Sequence, residues 1–297
     1  KLELGLSATV LTRDAESFKK KMPHIAGHPA IKFHAGDIRN FDFPEGDFPY
    51  VVHAAATSAV ATFNNEDPLT KFDTVVEGTR QVMEFAARHG AKKVLYTSSG
   101  AVYGQQPANL ACIPEEYLGA PYPADVKSAW GESKRAAEFI CGYYSDKYGM
   151  EIKIARCFSF VGPYLPLDIH YAIGNFIRDA LKGGPIQING DGTPRRSYLY
   201  AADLMIWLWT ILFRGESGRV YNVGSDKEIT IAELADLVAR SVQPAVEVKI
   251  AKSPTPGMPP ERYIPSVDRA KKELGLVETM GLEEAIKRTI IFNSRKN

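Results

Sequence analysis

The chain has 297 residues, enough for one large domain or two unequal ones. Its 36 basic and 35 acidic residues leave a net charge of +1, so no electrostatic footprint points to nucleic acid or to a membrane surface. The three cysteines, Cys112, Cys141 and Cys157, and six scattered histidines have no ligand or redox spacing, which argues against a metal. With no secretory leader visible, they read as thiols of a reducing, cytoplasmic compartment.

Strand-like and helix-like segments alternate from the start. Ala8–Thr12 is a short β-rich run, Ile31–Ala35 alternates and ends in Gly36-Asp37, and Tyr50–His53 leads into Ala54-Ala55-Ala56. Helical periodicity from Asp73 to His89 precedes a strand at Lys93–Thr97. A second helix over Ala129–Tyr148 precedes a strand at Glu151–Ala155. Such alternation predicts an α/β protein with a Rossmann-like, doubly wound parallel sheet. That fold opens on a central strand and a Gly-rich turn, whereas this sequence starts near the end of what would be the first helix. A sheet without its central strand would expose unpaired backbone, so the natural protein is expected to carry that strand and turn ahead of Lys1.

After Gly162-Pro163 proline and glycine become denser. A helix is expected near Ile173–Leu181, a turn at Gly190–Gly192, a strand at Tyr221–Gly224 and a helix from Ile231 to Ser241. A proline-rich stretch and two short amphipathic helices close the chain. Residues 1–162, with 197–224 returning to them, are therefore expected to form the dinucleotide-binding domain. Residues 163–196 and 225–297 are expected to form a smaller substrate domain. The apolar run Met205–Leu212 falls far short of the roughly 20 residues of a membrane span and reads as a buried helix. Its Trp207 and Trp209 face different sides, and both are expected to pack in the core.

Trp130-Gly131-Glu132-Ser133-Lys134 is the most informative segment. A Tyr four residues before a Lys shares a helix face with it, and the ammonium can then promote ionisation of the phenol for proton transfer. Here the Lys stands, but an indole, which only donates a hydrogen bond, holds the place of the Tyr.

Other segments fall in a definite order. They are Ser98–Gly104, the Trp130–Lys134 segment, Arg156–Pro163, Gly190–Gly192, Arg196–Tyr200 with Asp203, and Tyr221–Gly224. In that order they resemble, over nearly the whole chain, the extended short-chain dehydrogenase/reductases of the NAD-dependent epimerase/dehydratase family, which act on nucleotide-sugars. The resemblance implies that Ser99 bonds the sugar oxygen at the oxidised carbon and that Lys134 holds the nicotinamide ribose. It places Asp37 and Ile38 beside the adenine, with Ala54, Ala55, Ala56 and Phe158 also along the cofactor. Arg196 and Arg262 would take the diphosphate, and Ser159, Asn175 and Gln187 would line the rest of the nucleotide-sugar site. At the tip of the fold's second strand, Ala8–Thr12, Thr12 and Arg13 tip the expected cofactor towards NADP over NAD, although Asp14 is adjacent.

Four departures qualify the activity: Trp130, Val75 and Ser159 in place of the usual Tyr, Asn and Asn, and Gly100-Ala101 where 4,6-dehydratases carry an acid–base pair. Tyr103, Glu132 and His170 are candidates by type to supply the missing proton chemistry. The leading expectation is a 4-epimerase. An NADPH-dependent 4-keto-sugar reductase, a less supported dehydratase-like enzyme and a non-catalytic binding protein remain alternatives. By the same analogy the partners are a nucleotide-diphosphate sugar and a second copy of the chain, in a homodimer through the Asp73–His89 and Ala129–Tyr148 helices.

Overall fold

The computed structural model describes residues 5–56, 66–169 and 171–295. Its main sheet is parallel, in the order β10 (Val220–Val223), β5 (Glu151–Cys157), β4 (Lys93–Ser99) and β3 (Tyr50–His53). A separate parallel pair joins β1 (Ala8–Thr12) to β2 (Ile31–Ala35). Successive residues of a strand face opposite sides, and β4 shows it: Val94 and Tyr96 pack into one buried cluster and Leu95 into another. Both faces are covered, which is why Val94, Leu95 and Tyr96 are apolar in succession.

One face is covered by two adjacent helices, α3 (Pro68–Arg88) and α4 (Ala129–Tyr148), with Met83, Ala86, Ala137 and Cys141 in the core beneath them. The earlier helices are α1 (Ala15–Lys21) and α2 (Pro23–Ala26). Helix α3 starts ahead of the expected Asp73. The Asp67 carboxylate caps it by accepting from Thr70 N–H, and Pro68 occupies its first turn, where no N–H is needed. Helix α4 stops at Gly149, whose φ of 67° is the left-handed end that glycine supplies.

The other face is covered by α6 (Ala201–Arg214), with Trp207, Ile211 and Leu212 fully buried. Trp207 donates its indole N–H to the Val277 carbonyl at 3.2 Å. Trp209 corrects the expectation for it: 48% exposed, it stacks on Phe213 along the outer face of the helix. Met205 and Ile206 lie exposed beside it, so the apolar run is only half buried. No helix among the described residues is long and apolar enough to cross a membrane.

A second core gathers Val161, Ile173, Phe176, Ile177, Leu234, Val238 and Ile286. It lies among α5 (Ala172–Leu181), α7 (Ile231–Ala239) and α9 (Leu282–Ser294), beside the pairs β6 (Phe160–Val161) with β9 (Leu199–Tyr200) and β7 (Ile186–Ile188) with β12 (Val248–Ile250). A three-stranded sheet sets β8 (Arg195–Arg196) between β11 (Ile229–Thr230) and β13 (Arg262–Tyr263). Helix α8 (Asp268–Leu274) packs against β10.

Candidate active site

β4 ends on Ser99, and the chain turns at once into a 3₁₀ turn, Gly100–Tyr103, that Ser99 caps by accepting from Ala101 N–H at 3.2 Å. The first turn of α4 docks on this turn. A Cβ on Gly131 would lie 2.7 Å from the Ala101 carbonyl oxygen and 2.6 Å from Pro121, so only glycine allows the approach. The docking delivers Trp130, whose indole N–H donates to Ser99 Oγ at 3.2 Å.

Lys134, one helical turn on, is buried. Its ammonium donates to the Thr97 carbonyl at 2.7 Å and lies over the rings of Tyr96 and Trp130, at 4.8 and 5.1 Å. Removal from water pulls its pKa down to about 8. Beneath this group, Glu138 takes a bidentate pair from Arg156 and a hydrogen bond from Ser98 at 2.6 Å. That network pins α4 to both β4 and β5.

At the tips of β1, β2 and β3 a cavity of about 230 Å³ is lined by Thr12, Arg13, Asp37, Ile38, Ala55 and Ala56, among others. Six of the residues expected along the cofactor thus share one cavity. Ala54 is exposed and outside its lining, and Phe158 instead packs on Tyr263 at 4.7 Å. Asp37 is clamped by Arg39, which holds its carboxyl down at about 2. Asp14 is committed to capping α1, accepting from Ser17 N–H at 2.8 Å. Arg13 is exposed and forms no ion pair among the described residues.

The arginines expected at the diphosphate lie on paired strands, but each has its own partner. Arg196 bonds Glu261 at 2.6 Å, while Arg262 shares Glu228 with Arg195. In register Arg262 stands opposite Arg195, and Tyr263 opposite Arg196. Asn175, on α5, accepts from Arg178, and Gln187 is exposed on β7. The Ser159 carbonyl accepts from Leu199 N–H, which ties β5's exit to β9.

Of the candidate substitutes for the missing phenol, Tyr103 is buried and donates to Asn222 at 2.8 Å, so it is not free to serve. Glu132 lies 3.8 Å from Arg135. His170 falls outside the described residues. Val75 is a core residue of α3 whose carbonyl accepts from Thr79. Sequence reasoning missed Glu138, Arg195 and Tyr263. Their roles depend on pairings across strands and helices far apart in the chain, which no local motif announces.

A doubly wound parallel sheet carrying a serine at the end of one strand and a buried lysine on the next helix defines a protein of the short-chain dehydrogenase/reductase class. The sequence model described as the NAD dependent epimerase/dehydratase family matches residues 2–224, and the chain belongs to that family. UDP-glucuronic acid decarboxylase 3 of Arabidopsis thaliana is 31% identical over 286 residues, covering 96% of this chain and 80% of the relative. Decarboxylation is an activity the motifs alone had not suggested. Among solved structures, UDP-glucose 4-epimerase of Thermotoga maritima with UDP-glucose superposes with a TM-score of 0.82 at 24% identity, covering 99% of this chain and 93% of the other. UDP-glucuronic acid 4-epimerase of Bacillus cereus, in complex with UDP-glucuronic acid and NAD, gives 0.84 at 21% identity with the same coverage.

Proposed function

We propose that the chain binds a nicotinamide dinucleotide along the carboxyl edge of its parallel sheet and a nucleotide-diphosphate sugar beside Ser99, and that it transfers hydride at the sugar's C4 in an epimerase-type reaction. The convergence of Ser99, Trp130 and Lys134 at the end of β4 carries this reading. The cavity at the tips of β1 to β3 suits the cofactor's adenosine, since Ala55 and Ala56 leave room for close approach and Thr12, Arg13 and Asp37 supply polar groups at its mouth. Bound there, the nicotinamide would supply the hydride acceptor or donor. Ser99 would hold the sugar oxygen, Lys134 the ribose, and Arg196 and Arg262 the diphosphate by charge-assisted bonds.

An NADPH-dependent reductase of a 4-keto nucleotide-sugar is the second reading, and Arg13 favours it. Asp14, the acidic group that would select the ribose 2′-hydroxyl of NAD, is spent on a helix cap, whereas Arg13 remains available for a 2′-phosphate. Dehydration has less support, because a side chain at Gly100 would collide with Phe158 and Tyr263. The exposed Phe139 and Tyr143 of α4 suit the homodimer contact expected from the family, in a cytoplasmic enzyme.

The test is to incubate the purified protein with UDP-glucose, UDP-galactose or UDP-glucuronic acid, with NAD or NADP, and to separate the products by anion-exchange chromatography. Interconversion of at least one sugar is expected. Tight binding of cofactor and UDP without conversion of any sugar, with or without the reduced cofactor, would replace this reading with a non-catalytic binding protein.

A further inference from the structure

The phenol absent from residue 130 is present in the same site from another direction. Tyr263, on β13, sets its hydroxyl against Gly100: a Cβ built there would lie 2.6 Å from Tyr263 Oη and 2.7 Å from two ring atoms of Phe158. Only a hydrogen at position 100 leaves this space for the phenol. The Phe158 ring packs on Tyr263 at 4.7 Å and 35°, which fixes the ring. In strand register Tyr263 stands opposite Arg196. Tyr263 is thus the strand neighbour of an arginine suited to a diphosphate, and its hydroxyl lies against Gly100, next in the chain to the serine suited to a sugar oxygen.

Hydrogen-bond directions sharpen the picture. Ser99 Oγ accepts from two groups that can only donate, the Ala101 N–H and the Trp130 indole N–H, each at 3.2 Å. A hydroxyl oxygen has two lone pairs, so both are taken and its own proton is left to donate. That proton is left for a sugar oxygen, on the side of the turn where the Tyr263 hydroxyl lies against Gly100. Beyond Ser99, whose lone pairs are taken, Tyr263's own proton has no side-chain acceptor among the described residues and is left for a ligand.

We propose that Tyr263 is the proton donor to the sugar oxygen in this site, taking the place of a tyrosine at position 130. This rests on the nucleotide-sugar reading above and assigns the reductive half of the hydride transfer, the half that an epimerase and a keto-sugar reductase share. Burial, with Cys157 and Tyr103 nearby, holds the phenol well above its usual range against the opposing pull of Ser99 and Arg196, so it is neutral and carries the proton that a developing alkoxide, more basic still, can take. A bound reduced nicotinamide would supply the carbonyl carbon with a hydride and its electron pair. The carbonyl oxygen, taking the C=O π pair, accepts the proton of Tyr263 Oη. A proton from solvent then restores the phenol. The net change is ketone plus NAD(P)H plus a proton giving alcohol plus NAD(P)⁺.

The test compares the native protein with Tyr263→Phe, which keeps the ring against Phe158. Without cofactor, calorimetry with UDP-4-keto-6-deoxy-glucose should show binding weakened about fivefold by loss of one hydrogen bond, while UDP binds equally to both proteins. With NADPH or NADH, kcat for reduction of that ketone should fall about 100-fold with KM little changed. The double variant Trp130→Tyr/Tyr263→Phe should regain turnover by restoring a phenol beside Ser99. Equal affinity of native and Tyr263→Phe proteins for the keto-sugar overturns the proposal whether or not the native protein turns over. A native protein that binds the keto-sugar through Tyr263 yet reduces it with neither cofactor would instead sink the enzymatic reading.

Discussion

Lys134 and His53 are two neighbouring groups whose hold on a proton the fold weakens. His53 is buried with its Nε2 against Thr79, and burial together with the Lys134 charge pushes its pKa down to about 3. Lys134 is pulled to about 8 from 10.5 by desolvation. For both, the unfolded chain binds a proton that the folded one resists, so stability rises with pH: between about 3 and 6.5 for His53 and between about 8 and 10.5 for Lys134. Replacing the ammonium by an apolar chain of similar length should relieve this cost. Lys134→Met is expected to raise stability at pH 7 by about 2 kcal/mol and to flatten the rise above pH 8, as read from urea midpoints across pH. It should also weaken dinucleotide binding, the pattern of a group kept for function at a cost in stability. A midpoint unchanged at pH 7 would mean that the carbonyl and ring contacts fully offset desolvation.

At the scale of elements, the site depends on how α4 meets the 3₁₀ turn after β4. Gly131 sits at that contact with no room for a methyl group. Gly131→Ala favours the helix by intrinsic propensity, yet it is expected to cost about 1–3 kcal/mol because it drives the helix start away from Ala101. Denaturant unfolding would measure that loss, and a rise in stability would show that the turn yields. The helix boundaries themselves were legible. Ala129–Tyr148 is bounded as its periodicity and the following glycine suggest, whereas α3 extends back to Pro68 because an Asp-Pro cap outweighs a weak apolar pattern in its first turn. Trp209 was misplaced for a related reason. A run of apolar letters signals a helix, but only its neighbours decide which side is covered.

At the scale of the molecule, Asn222 is the buried tie that sets the C-terminal segment against the sheet. From β10 its amide donates to the carbonyls of Ile113 and Ser266, at 2.9 and 3.0 Å, and accepts from Tyr103 at 2.8 Å. Ser266 follows shortly after Tyr263, so this tie also positions the phenol. Asn222→Ala takes the hydrogen-bond partner from the Ser266 carbonyl and the Tyr103 hydroxyl, while the Ile113 carbonyl keeps Ser266 N–H, and is expected to cost about 3 kcal/mol. It should also reproduce part of the Tyr263→Phe loss in keto-sugar affinity, which calorimetry would detect. A loss of stability with unchanged affinity would separate the tie from the site.

The sequence by itself determined the main alternation of strands and helices, the α/β class, the family, and the places of Ser99 at a strand end and Lys134 on the helix that follows. These follow from periodicity, caps and short motifs, which are local properties of the chain. Only the tertiary structure decided that Asp14 is spent on a helix cap, that Arg262 shares Glu228 with Arg195 while Arg196 stands beside Tyr263, and that Tyr263 fills the space over Gly100. Each of those is settled by which side chains meet across strands distant in sequence, and hydrogen-bonding and steric competition at such contacts leave no periodic trace along the chain.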